Sequence, residues 1–254
     1  MILKIKHFVV FITICGISAC SKKQHHPIQI SANQISIDSK INEVDSLEFF
    51  ISPYRKRINT VLDSTLAYVS NDLVKDDGAL NTSAGNFLAD LVYEQANPVF
   101  ESRTGNSIDF VVLNHGGIRA IVSKGYVNAR TAYQVMPFEN YIVVVEMDGT
   151  AVRDLLSFLA KSGRAHPISN MELVLDKTGN YTKTVINGQP FDEKRTYFVA
   201  SNDYLVQGGD DMGFFKNRTS IINTDYLVRN AIIDYFKKMD TITSTVDNRF
   251  IQLN

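Results

Sequence analysis

Asn114, His115, Gly116, Gly117 and Arg119 follow directly on the apolar run VVL, leaving no room for a helical turn between them. Two chemistries suit such a loop. One is a metal site, to which an Asn-His pair can lend ligands. The other is a cradle for a small anion, in which Gly116 and Gly117 let main-chain N–H groups approach and Arg119 offers a planar fork of donors. A catalytic metal centre needs several histidines and carboxylates to converge, yet beyond residue 20 only His25, His26, His115 and His166 occur, and the first two lie in a polar stretch. There is no Asp-x-His, His-x-His or HExxH spacing, and Asn114-His115 is followed by glycine. No catalytic or metal-ligating residue is therefore expected, and the anion cradle remains, alongside the plainer reading of a tight turn with a surface charge.

Two further segments could carry chemistry. MPFENYIVVVEMDG puts Phe138 at the entrance to an apolar run, and SNDYLVQGGDDMGFF puts Tyr204, Gly208, Gly209 and Asp210 just beyond another. The elements that must hold them are legible. IDFVVL, residues 108–113, is short, β-branched and almost wholly apolar, as a strand buried on both faces would be, and YIVVVEM is a second such run. MELVL and TYFVAS predict further strands, and TLAYVS another. Leu47, Phe50, Tyr54, Ile58, Val61 and Leu62 predict a helix, and so do Phe87, Leu88, Leu91 and Val92 after a Ser83 cap. Val152, Leu155, Leu156 and Leu159 predict another, and a last one is expected over 224–239 with Leu227, Val228, Ala231, Ile232, Tyr235 and Phe236 inward. The fold class is mixed α/β (α+β) in a single domain, residues 47–254.

With 254 residues, 44% hydrophobic, and a net charge of -1, the chain can bury one good core and has no electrostatic footprint for a nucleic-acid polymer. Lys4 and Lys6 precede the apolar run FVVFITICGI and then Ser18 and Ala19, the pattern of a signal peptide over residues 1–19. That run is shorter than the roughly 20 residues that span a bilayer. Ile17-Ser18-Ala19-Cys20 resembles a bacterial lipoprotein cleavage box, so Cys20 is the expected lipidation site and residues 20–46 a tether. The expected location is outside the cytoplasm, on the periplasmic side or cell surface of a bacterial membrane. No cysteine follows Cys20, so the domain is expected to hold without disulfides.

Together VVLNHGGIRA, the SAGNFLAD helix, the PF segment and the GGD segment resemble the C-terminal domain of the 5'-nucleotidase family, in the same order, over about residues 47–252. The resemblance implies that Phe138 and Tyr204 sandwich a nucleobase and that Asp210 accepts hydrogen bonds from ribose hydroxyls. It implies too that Asn114 and Arg119, with Gly116 and Gly117, line the ribose and phosphate end. Family members carry a further arginine shortly before the helix near Ser83, but no basic residue stands between Lys75 and Arg103 here; the phosphate end is expected to have fewer cations and to bind nucleotide more weakly relative to nucleoside, the alternative being that Arg130 or a partner chain supplies the charge. His115 replaces a residue that is usually small there, and is expected either to shape the pocket or, as the plainer reading, to face solvent.

In that family a separate metallophosphoesterase domain carries two metal ions. Only about 25 residues separate Cys20 from the matching region, so the expectation is a nucleotide-recognition half working with a separately encoded metallophosphoesterase subunit that holds the divalent metal ions. The alternative is a non-catalytic nucleoside- or nucleotide-binding lipoprotein. A relic with an inert pocket is less consistent with the intact Arg119, Phe138, Tyr204 and Asp210.

Overall fold

The computed structural model describes residues 5, 7–10, 31–38, 41–42 and 44–253. The signal-peptide reading falls outside these residues except for 5 and 7–10, which are helical, and Cys20 lies wholly outside them. The chain divides into two compact units, Met1–Phe50 and Ile51–Asn254. In the first, residues 31–38 have no regular structure. The expected helix forms over Asp45–Leu62, but none of its residues is buried. Apolar residues at 3.6 spacing set a helix, whereas burial also requires an opposing face. Its last turn is tied instead through Arg130, which donates to Asn59 and to both oxygens of Asp63.

Three sheets make up the second unit. Strands β1 (Thr65–Val69), β2 (Phe110–Val112), β3 (Gly125–Asn128), β4 (Tyr141–Asp148), β5 (Ile168–Ser169) and β6 (Met171–Leu175) come first. They are followed by β7 (Tyr181–Ile186), β8 (Gln189–Pro190), β9 (Thr196–Asn202), β10 (Ser220–Leu227), β11 (Thr241–Ile242) and β12 (Phe250–Gln252). The largest sheet has the order β10-β4-β9-β2-β5, and the other two have the orders β11-β1-β3 and β12-β6-β7-β8.

β2 and residues 142–145 of β4 are apolar in succession because both faces are covered. Val111, Ile142 and Val144 pack into one core with Phe87, Leu88, Leu91 and Val92 of the helix Ser83–Thr104 and with Ala231, Ile232 and Phe236 of the helix Val228–Lys238. Their sequence neighbours Phe110, Val112, Val143 and Val145 pack into a second core with Val152, Leu155, Leu156 and Leu159 of the helix Gly149–Ser162. Alternation along each strand thus feeds two cores, and the class is mixed α/β as read from the sequence.

Two local expectations give way. The helix cap is Thr82, whose extended backbone lets its Oγ1 accept Gly85 N–H at 3.1 Å; Ser83 is already helical, and its hydroxyl engages Asp77 Oδ2 at 2.5 Å. The last helix begins at Val228 rather than Thr224. Residues 220–227 pair with β4, with a bulge between Asn223 and Tyr226, Asp225 at φ 53°, and the Thr224 hydroxyl on Ile142 O at 2.7 Å. Ladder hydrogen bonds outweigh the helical spacing there.

Candidate functional site

β2 and β9 run parallel, and β4 runs antiparallel to β9. The end of β2, the end of β9 and the start of β4 therefore meet at one edge of the sheet. These are the three places where the sequence put Asn114–Arg119, Tyr204–Asp210 and Phe138, and a cavity of about 320 Å³ opens between them. Asn114, Gly116, Gly117, Arg119, Phe138, Tyr204 and Asp210 all line it. Gly208 and Gly209 act from outside the lining.

Both rings are accessible: Phe138 is 41% and Tyr204 47% exposed, so neither is a core plug. Their loops are braced by backbone contacts. Asp203 Oδ1 accepts Tyr204 N–H at 2.9 Å and Tyr141 N–H at 3.2 Å, joining the loop after β9 to the entrance of β4. Arg119 N–H donates to Val135 O at 2.9 Å, fixing the first loop to the segment before Phe138.

Asp210 sits at φ 51°, a left-handed conformation that side chains rarely adopt and that marks a position held by its surroundings. Its Oδ2 accepts Asn114 Nδ2 at 2.6 Å and its Oδ1 accepts the Tyr204 hydroxyl at 3.1 Å. The hydrogen bond from Tyr204 to this carboxylate raises the phenol's pKa, keeping it a neutral donor. Glycine is required at two contacts. A Cβ on Gly209 would stand 2.5 Å from Tyr204 Cε1, and one on Gly117 2.7 Å from Asn114 Oδ1. Gly208, at φ 100°, makes the turn that leads into this segment.

Arg119 has one long contact, to Gly116 O at 3.4 Å, and its guanidinium carbon lies 5.8 Å from the Phe138 ring centroid. The rest of its donor fork has no acceptor among the described residues and faces a cavity. Lys75 Nζ reaches Ile118 O at 3.5 Å on the same loop. Arg130 does not supply the missing cation: it is bound to Asp63 and Asn59 and is no part of the lining.

His115 departs from expectation. Its imidazole is largely covered, with Nε2 3.4 Å from Asp76 Oδ1 and a buried Nδ1 without a hydrogen bond among the described residues. Burial on the loop's inner side, toward Asp76, replaces the solvent-facing placement. His166 is 3% exposed and close enough to His115 and Asp210 to feel both. Burial first and His115 second, opposed by Asp210, push its pKa down to about 4, so the ring is neutral at physiological pH.

Sequence reasoning missed two residues here. Asn140 lines the cavity, and its carbonyl accepts Val228 N–H at 3.0 Å. Arg229 is 6% exposed and donates to Pro137 O at 3.2 Å and Phe138 O at 3.3 Å, with Tyr133 stacked 4.3 Å from its guanidinium carbon. It holds the backbone that presents Phe138. A signal existed: Arg229 falls three and seven residues before Ile232 and Phe236, a charge on the inward stripe of an amphipathic helix.

These residues do not fit a resident metal ion. Among the described residues no group of three His, Cys, Asp or Glu side chains is placed to hold a metal ion, the cleft carboxylate is occupied by two donors, and a guanidinium shares the lining. The lining offers two partly exposed aromatic rings, a carboxylate and a guanidinium to one cleft. Among the described residues, no helix is long and apolar enough to cross a membrane.

Residues 64–217 match the family model described as "5'-nucleotidase, C-terminal domain". The chain is similar to protein UshA of Yersinia enterocolitica, 25% identical over 221 residues, which cover 85% of this chain and 39% of that protein. It is likewise similar to protein UshA of Escherichia coli, 30% identical over 148 residues, or 57% of this chain and 26% of that protein. The chain thus spans well under half the length of these relatives. The fold matches a crystal structure of a 5'-nucleotidase precursor from Thermus thermophilus with a TM-score of 0.68 and 22% identity, over 82% of this chain and 44% of that one.

Proposed function

Because the chain belongs to the 5'-nucleotidase C-terminal domain family, we propose that it recognises the substrate for hydrolysis of nucleoside 5'-monophosphates, with the metal ions and the hydrolytic step supplied by a metallophosphoesterase subunit. The convergence of three separate segments on one cleft carries this reading. Phe138 and Tyr204 clamp the base, where stacking contributes about 1–3 kcal/mol per base and tolerates different rings. Asp210, held by Asn114 and Tyr204, takes the ribose hydroxyls. Arg119 swings from the Phe138 face to the phosphate, where a guanidinium–phosphate pair is among the stronger hydrogen-bonded contacts.

Divalent metal ions on the partner would activate the attacking water; this chain's residues bind base and sugar and so fix the phosphate relative to it. The family's further arginine is missing, so phosphate adds less to affinity here than in a cleft with two cations. The leader pattern and Cys20 support export and a lipid anchor as the mode of attachment.

The test mixes the chain with the metallophosphoesterase subunit and follows AMP hydrolysis. Neither component alone turns over AMP appreciably, the mixture does, and Phe138→Ala reduces the turnover of the mixture. Full activity of this chain alone contradicts the division of labour. Binding of AMP without hydrolysis in any mixture favours a nucleotide-binding protein with no catalytic partner.

A further inference from the structure

The Tyr204 hydroxyl does something a stacking ring alone does not require: it closes a chain of hydrogen bonds, Tyr204 to Asp210 to Asn114, across the floor of the cleft. The contact is built rather than incidental. Tyr204 lies flat against Gly209, where any Cβ would collide with Cε1 and Cζ at 2.5 Å. Asp210 lies against Gly116, where a Cβ would stand 3.3 Å from Oδ2. A left-handed backbone at both Asp210 and Asp211, φ 51° and 61°, aims the carboxylate into this position.

An ionised carboxylate has about four lone-pair positions, two on each oxygen. Here one on Oδ1 is taken by Tyr204 and one on Oδ2 by Asn114. One acceptor position is left on each oxygen, and a ligand group that can use both is a vicinal cis-diol, with one hydroxyl to each oxygen. Without the phenol, rotation of the carboxylate about its Cβ–Cγ bond is restrained on one side only.

From this geometry, which rests on the nucleotide-recognition reading, we infer that Tyr204 is a positioning residue: its hydroxyl orients Asp210 to read a ribose cis-diol, giving the cleft selectivity for ribonucleosides over 2'-deoxyribonucleosides. The ring stacks on the base in either case. The hydroxyl determines which sugar follows.

The experiment titrates adenosine and 2'-deoxyadenosine calorimetrically into the full chain and into Tyr204→Phe, Asp210→Asn and the double variant, all with EDTA present. The wild type binds adenosine roughly tenfold more tightly, the scale of one hydrogen bond to a charged group. Tyr204→Phe keeps the ring and the thermal midpoint but narrows the preference to about twofold, chiefly by weakening adenosine. In the Asp210→Asn background the same change leaves the ratio where it was, because there is no longer a carboxylate to orient. A wild-type preference that survives Tyr204→Phe unchanged, or equal binding of the two nucleosides by the wild type, overturns the inference and leaves nucleoside recognition standing. Absence of binding by either nucleoside overturns both.

Discussion

Two pockets of nearly equal size, about 320 and 340 Å³, each contain an arginine beside a carboxylate, and in only one does the guanidinium keep donors to spare. In the larger, Arg249 donates to both oxygens of Asp90 at 2.7 and 2.9 Å, to Asp247 at 2.9 and 3.0 Å, and to Ile168 O at 2.9 Å. Ser169 adds a bond to Asp90 at 2.6 Å. That guanidinium is consumed in tying the C-terminal segment to the helix Ser83–Thr104 and to β5. In the cleft, Arg119 has one contact of 3.4 Å, and two large rings are left open to solvent. Cavity volume therefore does not distinguish a clamp from a candidate binding site; whether the guanidinium is already committed does.

Several measurements would break or sharpen that contrast. The largest effect is expected beneath the cleft, at His166. Its folded pKa of about 4 lies below the ordinary 6.5, so as pH falls the unfolded chain takes up the proton first. Its contribution to stability is complete above pH 6.5, declines below it and is lost beneath pH 4, a difference of about 3 kcal/mol in the limit. Urea unfolding between pH 7 and 4.5 should follow that decline in the wild type and flatten in His166→Gln.

Next comes the clamp. Arg249→Met should lower stability by about 2 kcal/mol, because two half-exposed carboxylates lose their shared partner, while nucleoside affinity is unchanged. The reverse is expected in the cleft. Phe138→Ala should weaken adenosine binding by about 1–3 kcal/mol with the unfolding midpoint preserved, since the ring is 41% exposed and fills no core. Arg229→Met falls between the two classes, costing roughly 1 kcal/mol in adenosine affinity through the freed Pro137 and Phe138 carbonyls, together with some stability. The smallest effect on stability is Arg119→Ala, within about 0.5 kcal/mol, with loss of any preference for AMP over adenosine. If Arg119→Ala destabilised the fold as much as Arg249→Met, the contrast between the pockets would fail.

The same contrast governs what could be read from the sequence. IDFVVL and YIVVVEM were legible as strands because both faces are buried and the composition says so; Gly116 and Gly117 were read as room for an anion, whereas Gly117 and Gly209 make room for the side chains of Asn114 and Tyr204. The site residues could be listed for the same reason, each lying just beyond such a run or at its start. Arg229 acts on Pro137 and Phe138 from about ninety residues away, and no local pattern encodes that distance. Arg130 was a plausible cation by type alone, and only the fold commits it to Asp63. Thr224 carries helical spacing into a segment that pairs with β4, because the partner strand's open hydrogen bonds are invisible in a single segment.

Saturation-transfer NMR on AMP with the full chain in EDTA addresses the central claim directly, because it reports which ligand protons lie against protein when no metal is available. The account predicts the strongest transfer at the adenine ring protons, weaker transfer at the ribose, and loss of both in Phe138→Ala. Transfer that is absent in EDTA and returns only with added divalent metal would contradict it.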